Sequence, residues 1–85
     1  MVEELMFRIV FKHELSEAEV DDLLDRFIVD FVEYKGYCYG GGTSPLRIEG
    51  GIYQQSRKFF DVKEMKVELQ AFFSPIEFVK EIVFV

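Results

Sequence analysis

Three residue types that carry much of protein chemistry are scarce or missing in these 85 residues, which hold one Cys, one His and no Trp. A single Cys38 excludes an intrachain disulfide framework and suits a reducing compartment. A single His13, with no second His or Cys at ligand spacing, makes no recognisable zinc site and reads as a loop histidine. No apolar run approaches the ~20 residues needed to cross a bilayer. The opening Met1-Val2-Glu3-Glu4 is acidic where a secretion signal is basic, so a cytoplasmic protein without membrane attachment is expected. Basic charge is short as well: 10 Lys and Arg stand against 16 Asp and Glu, a net −6. That balance weighs against non-specific affinity for nucleic-acid phosphates, and no DNA partner is expected.

What is present is enough for a core. Hydrophobic residues make up 49% of the chain, ten of them Phe, which fits one α+β domain spanning residues 1–85. The charge is uneven. Residues 1–35 carry ten acidic and four basic side chains, whereas residues 36–60 carry one acidic residue against Arg47, Arg57 and Lys58.

Leu5 to Phe11 alternates in the manner of a strand, with Leu5, Phe7, Ile9 and Phe11 on one face. Ser16 and Glu19 are placed for a capping box, with Leu15 and Val20 as its hydrophobic staple. Val20, Leu23, Leu24, Phe27, Ile28 and Phe31 then recur at helical spacing, and Gly36 supplies the stop signal. Tyr37-Cys38-Tyr39, a turn cluster from Gly40 to Pro45, and Arg47 to Gln54 read as a hairpin with a long loop. Gly50-Gly51 suggests a bulge or a close backbone approach. A second helix is predicted from Asp61, with Glu64 completing a cap, Phe60 stapled to Met65, and Val62, Met65, Leu69 and Phe72 buried. Ser74-Pro75 ends it, and Phe78 to Val85 forms the last strand. The order β-α-β-β-α-β is the ferredoxin-like pattern: a four-stranded antiparallel sheet in the order 4-1-3-2 with two helices on one face.

Catalytic constellations are not assembled by these residues. The triple glycine lacks the Lys and the following helix of a phosphate-binding loop, and a turn or bulge is the better reading. Glu17, Asp21 and Asp25 share a helical face at four-residue spacing, which reads as a solvated acidic face before it reads as a cation site. Cys38 sits between two tyrosines in a strand, without a nameable base. Neither the RNA-stacking motif nor the anion-binding loop seen in other proteins of this topology is present. No enzyme activity, cofactor or metal is therefore expected.

Ser16-Glu17, Val20-Asp21, Asp25, Phe27-Ile28 and Glu33 in this spacing, followed by the glycine cluster and Glu49-Gly50, resemble the YggL family of small bacterial proteins. The likeness spans roughly Phe7 to Gln54. It implies association with the large ribosomal subunit. The chain opens directly on its first strand, without the Arg/Lys-rich extension that better-known members carry. Contact is accordingly expected through Arg47, Arg57 and Lys58 on rRNA phosphates, or through Asp21 and Asp25 against a basic ribosomal protein, with Tyr39 as an aromatic contact. The alternative is a self-associating scaffold that binds a protein or small ligand across the open sheet face. Val10, Val79, Val83 and Val85 would line that face, and a homodimer could form there or at the C-terminal edge strand.

Overall fold

A computed structural model describes residues 4–54 and 61–85. Four antiparallel strands form one open sheet: β1 Glu4–Phe11, β2 Tyr37–Ser44, β3 Arg47–Gln54 and β4 Val79–Phe84, in the spatial order β2-β3-β1-β4. Two helices, α1 Glu17–Phe27 and α2 Val62–Phe73, complete the α+β ferredoxin-like arrangement. Among the described residues no helix is long and apolar enough to cross a membrane.

The period-two pattern of β1 sets the inside of the molecule. Leu5, Phe7, Ile9 and Phe11 are buried, while Met6, Arg8 and Val10 face the other way. In antiparallel register, directly paired residues share a face, so Ile48 and Ile52 of β3 join them through Ile9 and Leu5. Both helices lay their stripes on this surface, Val20, Leu23 and Phe27 from α1 and Met65, Leu69 and Phe73 from α2, to give one continuous core. Phe27 is its hub, with ring centroids 5.9 Å from Phe7, 5.5 Å from Phe31 and 5.1 Å from Phe73.

The helix ends follow their local signals. The Glu19 N–H donates to the Ser16 hydroxyl at 3.2 Å, and the Ser16 N–H donates to the Glu19 carboxylate at 3.1 Å, closing the expected capping box. The buried Leu15 and Val20 flank it as the staple requires. Asp61 caps α2 by accepting from the Glu64 N–H at 3.2 Å. Gly36 follows the first helical segment at φ 75°, a left-handed conformation open to glycine without steric cost.

The structure departs from sequence expectation in the second strand, at Val79 and in the last turns of both helical segments. Gly40, Gly41 and Gly42 are not a turn but the middle of β2, paired without interruption to β3 from Tyr37↔Gln54 to Ser44↔Arg47. The hairpin loop is only Pro45-Leu46. The turn rule fails here because Gly41 is needed where the β3 backbone and the Tyr39 hydroxyl come close, whereas Gly40 and Gly42 face open space on the other side of the sheet. Of the two expectations for Gly50-Gly51, a bulge or a close backbone approach, the structure shows close approach, since the register passes straight through both; the irregularity lies at Val10/Phe11 against β4. That irregularity turns Val79 to the Phe11 side, where it packs on the core instead of the open face. Finally, α1 continues as a π-helical turn, Ile28–Glu33, which shifts the buried positions to Phe31 and Val32 together. Similarly Phe73, beside the expected Phe72, is the fully buried residue of α2's last turn. The expected staple residue Phe60 lies outside the described residues.

Candidate functional site

Tyr39 accounts for two of the glycines, Gly41 and Gly50. Its ring lies on the helix side of the sheet, 6.1 Å from Phe7 and 5.5 Å from Phe27 between centroids, and its hydroxyl donates to the Glu49 carbonyl at 3.1 Å. To reach that carbonyl, the ring passes over Gly41 and Gly50, which are register partners on the same face. A Cβ on Gly50 would stand 2.7 Å from the Tyr39 ring. Burial pushes the Tyr39 hydroxyl above its ordinary titration range. The residue expected to meet a partner is thus committed to packing.

Gly40 and Gly42 point to the opposite side, where a Cβ on either would meet nothing within 4 Å. Beside them the Glu49 carboxylate forms ion pairs with both Arg8, Nε to Oε1 at 3.3 Å, and Arg47. All three side chains are about half exposed, at 40%, 52% and 40% for Arg8, Arg47 and Glu49. Arg47 therefore shares a carboxylate and is no isolated phosphate contact. By register, the described charges on this open face are Arg8 and Arg47 against Glu4, Glu49 and Glu81. The face has no basic excess. Arg57 and Lys58, the other two basic candidates, lie outside the described residues.

The acidic candidates are placed differently. Between Glu17 and Glu33 the chain carries seven carboxylates and one Arg26, all exposed. Glu17, Asp21 and Asp25 fall on one line of α1, four residues apart. The start of that line is locked to the hairpin tip, because the Leu15 N–H donates to the Pro45 carbonyl at 2.8 Å. Between them opens a cavity of about 310 Å³, lined by the buried Leu15 and Val20, by Pro45, Thr43 and Ser44, and by Glu17 and Asp21 at its rim. The structure brings Asp21 and the hairpin together at this point. The sequence held no signal for that, since Asp21 and Thr43 lie on separate elements brought together at this end through the Leu15–Pro45 hydrogen bond.

Other chemistry-bearing residues stand apart from it. His13 lies in an exposed bend with Nδ1 3.2 Å from the Glu14 carbonyl oxygen, near Lys12, Glu19 and Glu77. Cys38 is a free, half-buried thiol on β2. Among the described residues no group of His, Cys, Asp or Glu is arranged to hold a metal ion. Compared with protein-family models, characterised proteins and solved structures, the chain matches none.

Proposed function

We propose that this chain is a non-enzymatic, cytoplasmic binding module that presents the acidic face of α1 to a basic protein partner. The observation that carries this reading is the separation of charge: the segment Glu17–Glu33 holds a net −6 on exposed side chains, while the open sheet face holds no positive excess among its described residues. A surface of that kind steers and selects a positively charged partner and repels phosphate backbones. The resemblance to the YggL family directs the choice of partner to the large ribosomal subunit, and the charge favours a basic ribosomal protein there over rRNA. Residues of that resemblance meet in space, since Glu49-Gly50 pairs with Gly42 and Gly41.

Co-sedimentation with large ribosomal subunits of the chain's own host, at low and near-physiological salt, tests the reading. Retention at both salts supports it, and absence at both withdraws the ribosome as partner.

A second reading has its own observation. Met6 and Val85 are 42% and 84% exposed, and with Val10 and Val83 they form an apolar strip on the open sheet face. Such a strip suits self-association. A strictly monomeric mass by light scattering at micromolar concentration removes it.

A further inference from the structure

The two edges of the sheet are guarded unequally. β4 carries Lys80 and Glu81 and pairs through a register shift, the devices that discourage a further strand from adding. β2 has neither. Its eight residues contain no charge and no proline, and its register with β3 is unbroken. The direction of its free backbone groups follows from the neighbouring ladder. The Phe11 N–H donates to the Leu46 carbonyl at 2.9 Å, which assigns Leu46, Ile48, Gly50 and Ile52 to bonding with β1. The alternate residues Arg47, Glu49, Gly51 and Tyr53 are left to bond β2, through Ser44, Gly42, Gly40 and Cys38. The N–H and C=O groups of Tyr39, Gly41 and Thr43 therefore point away from the sheet, and among the described residues no strand pairs with them.

We infer that β2 is a strand-addition site, and that its occupant is an extended segment of a partner protein bearing Lys or Arg at alternate positions. Backbone pairing to Tyr39, Gly41 and Thr43 supplies the affinity in this mode, and side-chain pockets supply the choice of partner. The pocket is the cavity beside Thr43 and Ser44, whose apolar floor of Leu15, Val20 and Pro45 suits the methylene stem of a basic side chain and whose rim carboxylates, Glu17 and Asp21, suit its head. On the other side of the added strand, the bare backbone at Gly40 and Gly42 leaves room for side chains of any size. A second copy of this chain is disfavoured as occupant, because pairing β2 with β2 would set two helical segments of net −6 alongside each other. This inference rests on α1 being the partner-facing surface.

Hydrogen exchange followed by NMR on the full chain tests it, with a capped synthetic peptide of about eight residues alternating lysine and threonine as the probe. Saturable binding should slow amide exchange at Tyr39, Gly41 and Thr43 by about tenfold or more, with Gly40 and Gly42 unchanged because β3 already protects them. Glu17→Gln with Asp21→Asn should weaken binding about tenfold, whereas Asp30→Asn, about 14 Å further along the helical segment than Asp21, should change it less than about twofold. Thr43→Pro, which removes an outward N–H and none that β3 uses, should abolish it. Absence of protection at the three outward amides overturns the inference, as does equal weakening by Asp30→Asn. Slow exchange at the same amides without peptide, rising with protein concentration, would assign the edge to a second copy. Co-sedimentation with ribosomal subunits but no peptide protection would remove strand addition alone. Protection without co-sedimentation would remove the ribosome and keep the edge.

Discussion

Gly41 and Gly50 face each other across β2 and β3 with no room for a side chain on either: a Cβ on Gly41 would stand 2.1 Å from the Glu49 carbonyl oxygen, and one on Gly50 would stand 2.6 Å from that of Gly40. Both obstacles are backbone atoms of a paired ladder, which cannot step aside singly. Gly41→Ala and Gly50→Ala should each destabilise the fold by about 1–3 kcal/mol. Gly40→Ala and Gly42→Ala, with open space at the Cβ and no positive φ, should instead stabilise by about 0.4–1 kcal/mol through a less free unfolded chain. Urea midpoints of the four variants check the pattern.

Tyr39 holds its ring over that glycine pair by packing and by one hydrogen bond to the Glu49 carbonyl. Tyr39→Phe keeps the packing and removes the bond, and should cost about 0.5–1.5 kcal/mol in the same unfolding measurement.

The capping box offers a test in pH. Backbone and then hydroxyl hydrogen bonds from Ser16 hold the Glu19 carboxyl below its usual range. A folded-state value below the unfolded one gives stability that is present above the ordinary carboxylate range and is lost as pH falls through the folded value. Glu19→Gln should therefore flatten the stability profile between about pH 5 and pH 3. Ser16→Ala should cost about 1 kcal/mol at neutral pH by loss of the cap.

At alkaline pH the sign reverses. Burial first, then the charges of Glu68 and Glu64, push the Tyr37 hydroxyl above its ordinary range. The associated stability is present below the unfolded tyrosine value and is lost as pH rises through the folded one. Glu68→Gln should bring the Tyr37 transition back toward lower pH, read as tyrosinate absorbance. The same variant breaks the 3.4 Å pair with Lys35, a partly exposed contact worth about 1 kcal/mol or less.

How far the sequence was legible follows from where each signal is stored. The burial alternation of β1, the Ser16–Glu19 cap, the Gly36 stop and the strand order are local or follow from topology rules, and all were readable. The strand at Gly40–Gly42 was not, because the reason for Gly41 is its close approach to β3 beneath the Tyr39 side chain, which reaches across the register to Glu49, and turn preferences contain no such information. The π-helical turn escaped because a 3.6-residue period cannot foresee one extra residue, and Val32 was lost with it. Of the candidate site, the acidic line Glu17, Asp21, Asp25 was legible as a helical face. Its cavity with the hairpin tip was not, and neither was the neutralisation of Arg47 by Glu49.

The central claim, that the acidic face of α1 meets a basic protein partner, is tested most directly by charge reversal in a ribosome co-sedimentation assay. Asp21→Lys with Asp25→Lys and, separately, Arg47→Glu are to be compared with the parent chain on large subunits at near-physiological salt. Loss of retention with the helix variant and survival with Arg47→Glu is the predicted result. Retention by the helix variant together with loss in Arg47→Glu would contradict the account and return the open sheet face to rRNA.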